Sequence, residues 1–245
     1  MKTKSKALLL SLCAVMLVVA SVMGTMAYLT SQDSVTNTFT VGRVSLLLDE
    51  AKIDEDGKEI TGEGAGRVET NEYHLLPGHV YGKDPTVHVQ PNSEESYVRM
   101  RVTINKQKEL DEIFKTINDA RKTAANGGTY DVLTIADVLT GSSPDWRLVQ
   151  ETEDTSANSR TYEFRYTGSK YQGGKKGTVR ATKADETIDL PDLFTEIRMP
   201  GEITGAQLDK LYKEGAADNL TITVVADAIQ ADGFADADAA WEAFN

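Results

Sequence analysis

The chain has 245 residues, with 26 Lys+Arg against 38 Asp+Glu, a formal net charge of −12 and one cysteine. That length suffices for one large domain with its own core. The acidic balance argues against binding phosphate backbones or anionic lipid, and the lone thiol excludes a disulfide framework.

In chain order, Lys2, Lys4 and Lys6 precede an apolar run from Ala7 to Met23, and Thr25-Met26-Ala27 follows with small residues where a signal peptidase reads. The pattern predicts an export signal over residues 1–27, cut between Ala27 and Tyr28. The apolar run is at the short end for a membrane span. Cys13 lies within it, so the processed chain has no thiol for a disulfide or a nucleophile. The signal also carries three lysines and no acid, which leaves the remainder more acidic still.

Residues 28–245 read as a single domain dominated by period-two alternation. Phe39 and Val41 share one phase and Val44, Leu46 and Leu48 the other, which suggests a bulge at Gly42. Asp56-Gly57 between Leu46–Ile53 and Lys58–Ile60 is a hairpin-turn signal. Thr86–Gln90, Tyr97–Asn105, Tyr162–Tyr166 and Leu220–Asp227 alternate as strands with one wet face. Gln107–Asn118 has helical spacing at Leu110, Ile113, Phe114 and Ile117, and Asp131–Leu139 is a weaker helix. Thr204 and Gln207 form a capping box ahead of a helix that Gly215 is placed to end. Asp236–Phe244 is expected to close the chain with Trp241 and Phe244 packed inward. Glycine-rich or polar segments at Gly62–Gly66, Ala124–Gly128, Thr152–Asn158 and Gly168–Gly177 read as loops. Short strands with a few short peripheral helices predict a mainly β protein, an antiparallel jelly-roll-like β-sandwich.

No catalytic constellation emerges. His74, His79 and His88 are the only histidines, and none has HExxH spacing. Together with Asp84 they are the one set from which a metal site would have to be built, and their spacing favours surface histidines near a turn. The run Asp54-Glu55-Asp56-Gly57 lacks the spaced carboxylates of a calcium loop, and no GxSxG elbow is present. No cofactor is expected. A carbohydrate-binding or adhesion surface would require exposed aromatics on one face, for which Tyr162, Tyr166 and Tyr171 are the candidates.

The segment Gly24-Thr25-Met26-Ala27-Tyr28-Leu29-Thr30 is followed by Thr36-Asn37-Thr38-Phe39-Thr40-Val41-Gly42. Further along come Leu75-Leu76-Pro77-Gly78, Lys83-Asp84-Pro85-Thr86-Val87, Tyr97-Val98-Arg99 and Val224–Phe234 with a trailing Ala-rich Trp241 segment. These resemble the TasA/camelysin (CalY) family of Gram-positive exported proteins, while Gln107–Lys183 matches nothing in that pattern. The resemblance implies processing by a SipW-type signal peptidase and secretion to the extracellular matrix or cell surface. It further implies assembly of a jelly-roll subunit with copies of itself, head to tail, into biofilm-matrix fibres. The N-terminal segment 28–40 would then act as a donor strand, with Tyr28, Val35, Phe39 and Val41 as its assembly residues. That segment has no proline and no charge beyond Asp33, which suits strand addition to an open sheet edge. Camelysins are also described as metalloproteases. A zinc endopeptidase is therefore the alternative reading, although no residue here carries the family's activity and the chain is expected not to be an enzyme.

Overall fold

A computed structural model describes residues 12–17, 43–181, 185–216 and 218–244. The chain divides into two compact units, Met1–Val41 and Gly42–Asn245. In the first, residues 12–17 are helical. Ala27, Tyr28, Val35, Phe39, Val41 and the expected bulge at Gly42 lie outside the described residues. Among the described residues no helix is long and apolar enough to cross a membrane.

The second unit begins with β1 (Leu46–Ala51), β2 (Arg67–Val68), β3 (Val80–Gly82), β4 (Thr86–Val89) and β5 (Ser96–Asn105). Helices α1 (Gln107–Ala124) and α2 (Ile135–Val138) lead into β6 (Leu139–Thr140), β7 (Trp146–Asp154) and β8 (Ser159–Tyr166). Then come β9 (Thr178–Val179), β10 (Ile188–Asp189), β11 (Glu196–Arg198), α3 (Gly205–Leu211), β12 (Ile222–Gln230) and α4 (Ala237–Phe244). The protein is mainly β, with antiparallel pairing in a sandwich-like arrangement of three sheets. One runs β10-β4-β1-β2, the second β3-β11-β6, and the third β12-β5-β8-β7 with β9 also on β5.

Alternation explains the inner faces. Val98, Met100, Val102 and Ile104 of β5 are at most 2 % exposed and join Val87 and Val89 of β4, Tyr162 and Tyr166 of β8, and Ile197 of β11 in one core. The two long strands beside β5 follow from continuous register: Ile222↔Ile104 through Gln230↔Ser96 on one side, and Arg99↔Arg165 through Asn105↔Ser159 on the other. Helix α1 places Leu110, Ile113 and Ile117 on its buried face, and runs to Ala124, six residues past the expected Asn118.

Several expectations need correction. The outer face of β5 is dry at its N-terminal end, because α4 covers Tyr97 and Arg99, both 2 % exposed. Trp241 is buried as expected, but Phe244 at the chain end is 44 % exposed, with its ring edge-on to Trp241. Thr152–Asn158 is not a long loop: Thr152 to Asp154 complete β7, and a four-residue turn joins it to β8. Strand β7 is an edge strand with seven of its nine residues exposed, so it has no apolar alternation to betray it. The Thr204–Gln207 capping box forms, but α3 ends at Leu211, where the Tyr212 backbone turns extended, ahead of Gly215. The hairpin at Asp56-Gly57 is present, with Gly57 at φ 74° and Ile53 bridged to Glu59.

Candidate functional site

A groove of about 1260 Å³ runs along the unit. Its apolar wall comes from Leu48 of β1, Ile104 of β5, Ile222 and Val224 of β12, Ile113 and Phe114 of α1, and Leu211 of α3. Small-molecule pockets are typically about 300–1,000 Å³, so this space is better matched to an extended segment of polypeptide.

Strand edges flank the groove. Strand β12 ends the five-stranded sheet, pairing with β5 on one side and with no described strand on the other. In β1, Leu46 to Asp49 pair with β4, whereas β2 reaches only Glu50 and Ala51 on the opposite flank. Among the described residues, therefore, two unfilled backbone edges lie beside an apolar trough, and β1 and β12 are neighbours in space. The side chains at these edges alternate: Leu47 (45 % exposed) and Val225 (41 %) face outward, while Leu48 and Val224 point into the groove.

One end of the groove is polar and dry. Glu50 and Lys83, 5 % and 7 % exposed, form an ion pair. Asn71 Nδ2 donates to the other oxygen of Glu50 at 3.1 Å and to the Ala51 carbonyl at 2.8 Å, while Asn71 Oδ1 accepts the Ile53 N–H at 3.2 Å. The Lys83 ammonium lies 5.7 Å from the centre of the Tyr73 ring, which meets Tyr81 edge-on. Burial, reinforced by the Glu50 charge, pushes the Tyr73 hydroxyl well above its usual range and keeps it protonated. Glu50, Asn71 and Lys83 escaped the sequence reading because they sit on three different segments with no shared spacing.

The four candidate metal ligands are not brought together. His74 offers its carbonyl to the Tyr81 hydroxyl. His79 donates through Nε2 to the Asp56 carbonyl at 2.7 Å and packs its ring on Tyr81. Asp84 accepts the Ala51 N–H at 2.6 Å and Arg67 Nη1 at 2.9 Å. His88 meets Asp189 through Nδ1 at 2.6 Å and Asp49 through Nε2 at 2.9 Å, leaving no ring nitrogen with an open lone pair. Burial disfavours the imidazolium, but the hydrogen bonds to Asp189 and Asp49 outweigh it and raise the His88 pKa. A zinc ligand must be neutral imidazole, so this environment favours the wrong protonation state. Among the described residues no group of three or more His, Cys, Asp or Glu side chains is arranged to hold a metal ion. Nor is there an exposed aromatic row: Tyr162 and Tyr166 are 5 % and 3 % exposed, and Tyr171 packs against the core.

Fold and site together define a mainly β, antiparallel protein with an apolar groove beside two strand edges that pair with no described strand. No family model matches the chain, nor does any curated protein or solved structure.

Proposed function

We propose that the chain is a secreted structural protein that assembles with copies of itself by strand addition. Cleavage between Ala27 and Tyr28 by a SipW-type peptidase would free segment 28–40, which would then pair with the groove edge of the next copy. The observation that carries this reading is the groove itself: an apolar trough beside the flank of β1 and the edge of β12, neither of which pairs with a further described strand there. Backbone pairing would supply affinity, and alternate side chains such as Val35, Phe39 and Val41 would fill the trough beside Leu48, Ile222 and Val224. Exposed edges of this kind are otherwise an aggregation hazard that proteins blunt with charge, proline or cover. The TasA/camelysin resemblance of the N-terminal and Pro-Gly motifs points the same way, to the extracellular matrix or surface of a Gram-positive bacterium.

The test compares purified 28–245 with 43–245 by sedimentation velocity and negative-stain electron microscopy. Filaments from the longer chain and monomers from the shorter are expected. Monomers from both across concentration and salt would sink the proposal.

A further inference from the structure

We propose that Lys83 and Asn71 become joined by an intramolecular amide bond, formed by the protein on itself with Glu50 as the proton carrier. The three side chains make a reaction centre rather than a plain ion pair. A buried ion pair needs only Lys83 and Glu50; here Asn71 presents an electrophilic carboxamide to the same carboxylate. One Glu50 oxygen accepts the Lys83 ammonium and the other accepts Asn71 Nδ2 at 3.1 Å. The nucleophile and the leaving nitrogen are thus served by one base, and both line the polar end of the groove.

Glu50 takes a proton from the Lys83 ammonium, giving a neutral amine and a neutral acid. The amine lone pair attacks Asn71 Cγ, and the developing charge on Oδ1 falls where the Ile53 backbone N–H already donates at 3.2 Å. Glu50 delivers its proton to Nδ2, and the Cγ–Nδ2 bond breaks. One of the two remaining Nζ protons is lost through the recharged Glu50. The departing nitrogen leaves as neutral ammonia, and Glu50 keeps that last proton as a neutral acid. One Nζ–Cγ bond has replaced one Nδ2–Cγ bond, with no oxidant or other co-reactant.

Two physical features favour the step. Holding an ion pair out of water carries a desolvation penalty of several kcal/mol per ion by general measure, and the product, with Glu50 protonated, removes both charges from a site walled by Tyr73 and Tyr81. Side chains fixed on one carboxylate also react with effective molarities of roughly 10⁵–10⁸ M, which offsets the poor electrophilicity of a carboxamide. Asn71 precedes the Leu75-Leu76-Pro77-Gly78 turn and Lys83 follows β3, so the bond would staple that turn and the mouth of the groove. It would do so in an exported chain that has no cysteine after Cys13.

The test is tryptic mapping by tandem mass spectrometry of the purified full-length protein. The expected result is a looped peptide of residues 68–99, uncleaved after Lys83, lighter than its sequence by one ammonia and giving no backbone fragments between Asn71 and Lys83. Glu50→Gln keeps a hydrogen-bonding partner for Asn71 but removes the base. Lys83→Arg keeps the cation but removes the nucleophile. Both should show the looped peptide lost while circular dichroism remains that of a folded β protein. Should either variant unfold, the native chain alone decides. A cooperatively folding native protein that is cleaved after Lys83 and releases residues 68–83 as a linear peptide of full mass overturns the proposal, as does recovery of residue 71 as unlinked aspartate.

Discussion

The guanidinium carbon of Arg99 lies 4.4 Å from the centre of the Trp241 ring. Arg99 is a strand residue on the outer face of β5, and Trp241 belongs to the last helix, 142 positions later by their residue numbers. The guanidinium is held flat by Glu163 at 3.0 Å and Asp227 at 2.9 Å, from the strands on either side. A chain end is usually the first part of a domain to fray. Here α4 is docked by a cation–π contact over a buried ion-pair network, with Arg165 to Asp238 as a second tether.

Removing Arg99 should therefore be costly beyond its own packing. Arg99→Ala leaves Glu163 and Asp227 with a buried charge deficit, and a loss of about 3–5 kcal/mol is expected in urea unfolding. Trp241→Ala should cost a similar amount, about 3–5 kcal/mol, through the cavity it leaves. The double variant should cost less than the sum of the two, since the residues share one contact.

Gly57 should tolerate no side chain. Its φ is 74°, and a Cβ there would overlap the Tyr81 ring. Gly57→Ala combines left-handed backbone strain with a steric clash, and a loss of about 1–3 kcal/mol is expected. Gly62, also left-handed but with open space around it, is the control: Gly62→Ala should cost less. Thermal unfolding of the two variants makes the comparison.

The Asp49–His88–Asp189 cluster should give stability a pH window. The His88 pKa is raised in the fold, so its contribution is complete below the unfolded imidazole value and fades as pH climbs through the folded one. Asp49 moves the other way. Burial opposes its charge, yet hydrogen bonds from Arg67 and His88 hold its pKa below the usual carboxylate value. Its contribution is present above the unfolded carboxylate value and fades as pH falls through the folded one. Chemical denaturation across pH should show both limbs, and His88→Gln should flatten the upper limb while leaving most of the lower. Asp189 is two-thirds exposed, so screening keeps the effect modest and salt-sensitive.

The groove should accept segment 28–42 as an added strand in trans. A synthetic peptide of residues 28–42 is expected to stabilise 43–245 and to cap growing assemblies, whereas a scrambled peptide should do neither. At a peptide concentration one hundred times Kd the gain is about 2.7 kcal/mol, readable as a thermal shift. Because the full chain carries a net charge of −12 and each processed copy, without the three lysines of residues 1–27, carries −12 − 3 = −15, assembly should also quicken as salt rises and repulsion is screened.

Local chemistry was readable wherever one residue or a short period decides the structure. The alternation of Val98, Met100, Val102 and Ile104 announces β5, Thr204 with Gln207 announces the start of α3, and Asp56-Gly57 announces its hairpin. Strand β7 was not readable, because an exposed edge strand has no inner face to mark with apolar residues. The dry outer face of Arg99 was not readable either, since an arginine between two hydrophobes reads as solvated until a helix from the far end of the chain covers it.

By itself the sequence determined the acidity, the near-absence of thiols and a mainly β chain, because each depends on composition or on neighbours a few positions apart. Tertiary structure alone decided the rest. It dispersed His74, His79, Asp84 and His88 to separate partners, set two edges that pair with no described strand beside one apolar groove, and drew Asn71 and Lys83 onto the single carboxylate of Glu50. The physical reason is common to all three. Which side chains meet across a sandwich depends on strand pairing between distant segments, and pairing is selected by burial of the whole core, which no local window contains.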